Sequence, residues 1–267
     1  ILITKSHILQ RQQANLGKIY QIDAAVIRQL HKKLSSQSNY SNGKLLLKNS
    51  TEFSRLNTSF NEEKIKQLAI SLAETTDSQY VIFSEINDVS FEEKRTNTWK
   101  VWQQGTYPRN FDFTLYLYNG LSGEQIWQNS YQGAAVWDFN KRRSVDVNAT
   151  VFWQSDYGTM ISALLDKIVS DIDNNVMCEP SEGKIIQVQG NQVTVNLGRH
   201  HGVKIGDEFT LLHSNSFISQ QGRNYVGYNI SPYKVKVTKL TRQSAIAKTL
   251  DNNLLGNIQI NDLAVRY

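Results

Sequence analysis

The 267 residues are 40% hydrophobic and 20% charged, with 10 Phe, 12 Tyr and 5 Trp. That burial capacity excludes disorder for most of the chain, and the length favours two domains. Apolar runs such as Leu45-Leu46-Leu47 fall far short of the ~20 residues a membrane-spanning helix needs, so no membrane insertion is expected. Net charge is +5 (29 − 24), split as +1 up to Met177 (19 − 18) and +4 from Cys178 onward (10 − 6). This is too mild for the dense cationic face that tracks phosphates, and no nucleic-acid partner is expected.

Branched apolar residues from Ile1 to Leu9 predict an opening strand. From Leu16 onward, Ile19, Ile22, Val26, Ile27, Leu30 and Leu34 recur at three- and four-residue steps, one face of a helix that ends in the polar stretch Ser35 to Gly43. Lys44 to Lys48 reads as a short strand. Asn61, followed by Glu62 and Glu63, supplies a cap and a negative first turn for a second helix with Ile65, Leu68, Ala69, Leu72 and Ala73 on one side. Tyr80 to Ile86 returns to strand, and the carboxylates Glu85, Asp88, Glu92 and Glu93 read as its solvated end. Phe111, Phe113, Leu115 and Leu117 alternate with polar or amphipathic partners, turn at Asn119 to Glu124 and return over Gln125 to Tyr131 as a hairpin. A third helix is expected from Asp156 to Ile172, capped by Ser155. The pattern of residues 1–176 is an α/β domain.

Pro180 and frequent glycines change the pattern at Asn174 to Pro180. Residues 177–267 then show short apolar runs without helical period, which predict five or six strands in a small β barrel. Ser214 to Gly227 is too long for a tight turn and reads as a surface excursion.

Little in the chain points to reaction chemistry. Gly198, Gly202 and Gly206 are spaced like a phosphate loop, yet no helix follows them and no Gly-Lys-Ser/Thr ending is present; all three read as turn glycines accepting positive φ. His200 and His201 are neighbours whose side chains diverge, so no metal site is expected. Serine elbows, paired carboxylates and nucleophilic Cys contexts are absent, so neither an enzyme nor a cofactor is expected. The single Cys178 excludes a disulfide framework within these residues; it reads as a shielded thiol, or as the partner of a cysteine upstream in an oxidising compartment. The start at Ile1, without initiator Met or leader, leads us to expect that an upstream segment is missing.

Two segments mix aromatic and cationic side chains: Lys94 to Arg109, with Trp99, Trp102, Tyr107 and Arg109, and Trp137 to Arg143, with Lys141, Arg142 and Arg143. Protein interfaces favour Trp, Tyr and Arg, which makes these seven the candidate interface residues. The competing reading puts Trp99 and Trp102 at one end of the core with the cations reaching outward.

Phe152-Trp153-Gln154-Ser155-Asp156-Tyr157-Gly158, the Cys178-Glu179-Pro180 junction, and Val195-Asn196-Leu197-Gly198 leading to Gly202-Val203-Lys204-Ile205-Gly206-Asp207 together resemble the flagellar assembly protein T family over nearly the whole chain. The resemblance implies a TolB N-terminal-like α/β middle domain and a C-terminal barrel, with the family's N-terminal domain missing here. It also implies a periplasmic structural role in the outer ring (H ring) of the flagellar basal body, in support of stator assembly. Its partners would be other ring subunits and stator-associated ring proteins, with self-association in the ring. The alternative is an envelope module that binds a small ligand or glycan between its two domains.

Overall fold

The computed structural model describes residues 1–38, 43–51, 59–92, 107–218 and 224–266. The chain divides into two compact units, Ile1–Val176 and Met177–Tyr267.

The first unit is built on β1 (Leu2–Lys5), β2 (His7–Ile8), α1 (Ile22–Gln37), β3 (Lys44–Ser50), α2 (Ser59–Thr76), β4 (Tyr80–Asp88), β5 (Pro108–Asn119), β6 (Gln125–Val136), α3 (Thr150–Gln154) and α4 (Asp156–Cys178). Its sheet has the order β3-β1-β4-β5-β6, with β2 added beside β4. β1 runs parallel to β3 and β4, whereas β4, β5 and β6 form an antiparallel meander. Alternation along β4 and β5 sends Ile82, Ile86, Phe111, Phe113, Leu115 and Leu117 to one face, where α1 and α4 bury Val26, Leu30, Ile161, Leu165 and Ile168 against them. The other face takes α2: Ile65, Ala69 and Ala73 pack on Leu2, Val81, Phe83 and Tyr118.

Several expectations are refined. The apolar period beginning at Leu16 overruns the helix, because Gly17 and Lys18 have φ of +75° and +49°. These left-handed residues end a 3-10 segment, and α1 starts only at Ile22. Ser155 caps α4 as expected, accepting a hydrogen bond from the Gly158 amide at 3.2 Å. The hairpin turn is held by Asn119, whose side-chain oxygen accepts from the Leu121 and Ser122 amides at 2.7 and 3.1 Å. Glu85 is no solvated strand end: it is 1% exposed, and the Tyr116 hydroxyl donates to it at 3.2 Å. Glu93 lies outside the described residues, as does the side chain of Cys178.

The second unit is a closed barrel of β7 (Ser181–Gln189), β8 (Gln192–Val195), β9 (Glu208–Ile218), β10 (Asn224–Leu240), β11 (Ala245–Thr249) and β12 (Leu263–Arg266), joined in the order β10-β11-β8-β7-β12-β9. Ile185, Val193, Val195, Phe209, Leu211, Val235, Val237, Ala247 and Ala264 fill it. Within the barrel wall closure pairs every strand on both sides, which removes free edges there. Ser214 to Gly227 is largely not a loop: β9 and β10 stay paired from Leu212↔Ile230 to Ile218↔Asn224, a two-stranded ribbon beyond the barrel wall.

Gly202 and Gly206 have φ of +75° and +95°, as turn glycines should, but Gly198 does not; its φ is −129°. Gly198 is required by proximity instead, since a Cβ there would lie 2.4 Å from the Arg242 carbonyl oxygen. His201 Nδ1 accepts the Gly198 amide at 3.0 Å, a local structural bond. Asp262, 1% exposed, accepts the Ser214 and Gln259 amides at 2.9 and 2.7 Å and lies 3.0 Å from His213 Nδ1. Burial raises its pKa, but the hydrogen bonds from His213, Ser214 and Gln259 outweigh burial and leave it below the usual carboxylate value.

All five tryptophans precede Met177, so their fluorescence follows the first unit alone, whereas far-UV circular dichroism follows both. Gly198→Ala should destabilise the barrel by about 1–3 kcal/mol through overpacking. In urea this moves part of the dichroism transition and leaves the fluorescence transition in place. A carboxylate with a depressed folded pKa stabilises above its unfolded pKa of about 3.9, and the contribution is lost as pH falls through the folded value. The barrel transition should therefore weaken as pH drops below about 4. Asp262→Asn should lower barrel stability at pH 7 and flatten that part of the pH dependence in thermal melts.

Candidate functional site

Of the seven candidate residues, Trp99 and Trp102 lie outside the described residues. The other five fall in one neighbourhood, but not with one role. Tyr107 is 40% exposed, Arg142 and Arg143 are exposed and Lys141 is half-buried, while Arg109 is 0% exposed. Arg109 is therefore corrected from surface cation to core residue. Alternation along β5 explains it: Arg109, Phe111, Phe113, Leu115 and Leu117 share the face that α1 and α4 cover.

The guanidinium lies over three rings: Trp137 at 4.5 Å from the centroid, Phe91 at 4.7 Å and Tyr157 at 5.8 Å. Its Nε donates to the Val89 carbonyl at 2.9 Å and its Nη2 to the Gln13 carbonyl at 3.1 Å. Nη1, like the indole Nε1 of Trp137, has no hydrogen-bond partner among the described residues. Burial lowers the Arg109 pKa to about 10, against the favourable charge of Asp88, so the side chain remains a cation at neutral pH. Cation–π attraction is worth about 2 kcal/mol where solvent is excluded, and here it joins two backbone acceptors to offset the cost of burying the charge.

One of these rings, Tyr157, belongs to the Phe152 to Gly158 motif that carries part of the family resemblance, and the motif's Phe152 packs behind the cage. Phe152 is fully buried, stacks on Phe139 at 6.2 Å and meets Trp137, Trp153 and Tyr157 edge-on. The Tyr157 hydroxyl donates to the Asn110 carbonyl at 2.9 Å, and burial pushes its pKa well above the usual phenol value. Gly158 permits the sharp passage from α3 to α4, since a Cβ there would lie 2.0 Å from the Phe152 carbonyl oxygen.

From this cage a second layer of cation and ring reaches the surface. Lys141 Nζ sits 4.1 Å from the Phe91 centroid and 3.3 Å from that of Tyr107; desolvation, then the charge of Arg109, lowers its pKa. The Lys141 carbonyl accepts the Gly17 amide at 2.6 Å, and the Gly17 carbonyl accepts the Val145 amide at 2.9 Å. Between these anchors the Asn140 side chain accepts the Arg142 amide at 2.9 Å and its carbonyl accepts the Arg143 amide at 3.2 Å. Arg142 and Arg143 thus stand on a short, pinned turn, and neither has an ion-pair partner among the described residues. Phe91 has no counterpart in the sequence reading, because a lone Phe beside carboxylates gives no periodic signal. Among the described residues no cluster of three or more His, Cys, Asp or Glu is placed to hold a metal, and no helix is long and apolar enough to cross a membrane.

Fold and site together define a two-unit protein, α/β followed by a closed β barrel, with an interior cation–aromatic cage under an exposed arginine turn. Comparison with family models matches residues 1–147 to the flagellar assembly protein T middle domain and residues 190–266 to the flagellar assembly protein T C-terminal domain. The chain therefore belongs to the flagellar assembly protein T family, and flagellar assembly is its field of action. No curated protein matches it in sequence. Among solved structures it is similar to the hypothetical protein CT253 from Chlamydia trachomatis, at 13% identity and TM-score 0.44, covering 67% of this chain and 98% of that one. It is also similar to the PelC dodecamer from Paraburkholderia phytofirmans, at 9% identity and TM-score 0.37, covering 64% and 85%. A third is XCC0632 from Xanthomonas campestris, at 6% identity and TM-score 0.38, covering 66% and 84%.

Arg109→Met keeps the bulk of the side chain and leaves the Val89 and Gln13 carbonyls without their donor. It should destabilise the first unit by about 2–4 kcal/mol. Urea unfolding followed by tryptophan fluorescence checks this. Lys141→Met, which keeps the stem over the rings, should cost less than about 1 kcal/mol.

Proposed function

We propose that the protein is a periplasmic structural subunit of the flagellar basal body that builds or stabilises the outer ring and thereby supports stator assembly. It works by shape and adhesion, without catalysing a reaction. The observation that carries this reading is the Arg142–Arg143 turn, held in place by the Asn140 bonds and the Gly17 anchors and flanked by exposed Tyr107. A pinned turn loses little backbone freedom on docking, and Arg and Tyr are among the residue types that dominate binding energy at interfaces. Membership of the flagellar assembly protein T family supports the setting. The neighbouring ring subunits, including other copies of this chain, are the partners we assign to this surface.

Arg142→Glu with Arg143→Glu tests it. Both side chains are exposed, so stability should change by no more than about 0.5 kcal/mol per site. Incorporation into the outer ring, scored by imaging purified basal bodies, should fall strongly. Normal rings from the doubly reversed variant would refute the assignment.

A further inference from the structure

The two ends of the first unit's sheet differ in kind. At one end, β3 carries Lys44 and Lys48 within seven residues, the kind of charge that keeps exposed strands from joining other chains. At the other end stands β6, twelve residues from Gln125 to Val136 with no charge and no proline. Among the described strands of five or more residues it alone has no Asp, Glu, Lys or Arg, in a chain where 20% of residues are charged.

β6 is also long and regular. It pairs with β5 in unbroken register from Leu117↔Trp127 to Pro108↔Val136, the irregularity being confined to the turn end at Leu117/Tyr118. No strand lies beyond it among the described residues. One face is anchored: Tyr131 donates to Asp171 at 2.5 Å, and Met160 and Leu164 crowd Gly133. On the other face Gln128, Ser130, Gln132 and Ala134 are exposed. The strand is thus held on one face by α4, and no described strand pairs with its outer edge, where the Ser130 amide is taken by the Asn129 side-chain oxygen at 2.9 Å.

We infer that β6 is a self-association edge, pairing antiparallel with β6 of a second copy of this chain to make one continuous sheet across a two-fold axis. In such a contact residue i faces j and j faces i, so a charge near the two-fold axis would meet its own copy at close range. An uncharged strand is the one composition that avoids this at every register. A strand bearing charge would instead leave that charge opposite neutral Gln, Ser and Ala with no ion to pair. The inference goes beyond the proposed ring role and does not depend on it: the Arg142–Arg143 turn could fail as an interface while this edge holds.

Strand pairing alone buries less than a standard interface, so the dimer should be weak, with dissociation in the range of about 10–100 µM. Sedimentation velocity of the full chain from about 1 to 300 µM should show a concentration-dependent monomer–dimer equilibrium. Hydrogen exchange should show amides of 125–136 gaining protection at the high end. Gln128→Lys with Ala134→Lys should weaken dimerisation at least tenfold, as should the matching Glu pair. An equimolar mixture of the Lys and Glu variants should restore the dimer, a result that no folding defect would produce. A chain that stays monomeric across the range, a dimer indifferent to both charge variants, or variants that fail to recover on mixing would each overturn the inference.

Discussion

The first unit depends on one buried cation. Arg109 joins segments far apart in sequence: the carbonyl of Gln13 before α1, the carbonyl of Val89 after β4, the rings of Phe91 and Trp137, and Tyr157 in the first turn of α4. An apolar side chain of similar length would pack there but could not satisfy the two carbonyls, and a carboxylate partner would add a second ion to desolvate. Rings offer the guanidinium negative faces without a second charge. That economy limits what can surround it. Gly17 must be glycine because a Cβ there would lie 2.7 Å from the Trp137 ring and 3.2 Å from Arg109 Nη1, and its φ is +75°. The same glycine hydrogen-bonds to Lys141 and Val145, so the cage and the exposed turn are parts of one construction.

The barrel solves a comparable problem with carboxylates. Asp262 collects three donors where the chain approaches β12. Asp207 accepts the Lys204 amide at 2.9 Å and pairs with Arg266 of β12. The Gly202 to Asp207 turn, which carries part of the family resemblance, thus fastens the last strand of the chain. Its glycines supply left-handed backbone and its aspartate the ionic clasp; no ligand is needed to account for either.

Much of the architecture was legible because it follows periodicity. The alternation of Phe111 to Leu117, the three- and four-residue steps of α1 and α4, and the loss of helical period after Pro180 each report a face that must be buried. What periodicity cannot report is a residue that breaks its own type. Arg109 occupies an apolar position in the β5 alternation, but as an arginine beside aromatics it reads as interface, and only the three-dimensional proximity of Trp137 and Tyr157 shows otherwise. Glu85 is the same case on β4. Gly198 reads as a turn glycine because sequence records which residue is small, not whether a backbone angle or a neighbour demands it. The Ser214 to Gly227 stretch fails differently: its Ser, Asn, Gln and Gly residues read as a loop, and nothing in them reports the register that pairs β9 with β10 beyond the barrel wall.

The same reasoning separates the surfaces available for assembly. The Arg142–Arg143 turn is charged and displayed on a short rigid base, so its contacts will be directional and sensitive to salt. β6 is neutral and offers backbone groups, so its contacts will depend on strand geometry and little on ionic strength. They also differ in symmetry. A strand edge that pairs with its own copy is consumed by a two-fold contact, whereas an arginine turn needs an unlike, electronegative surface and can be repeated head to tail. A two-fold contact on its own stops at the dimer, whereas a head-to-tail contact propagates and its closure produces a ring. A circle built from one repeated contact therefore calls for a surface of the second kind, and the cation cage beneath the turn is what gives that surface a fixed shape.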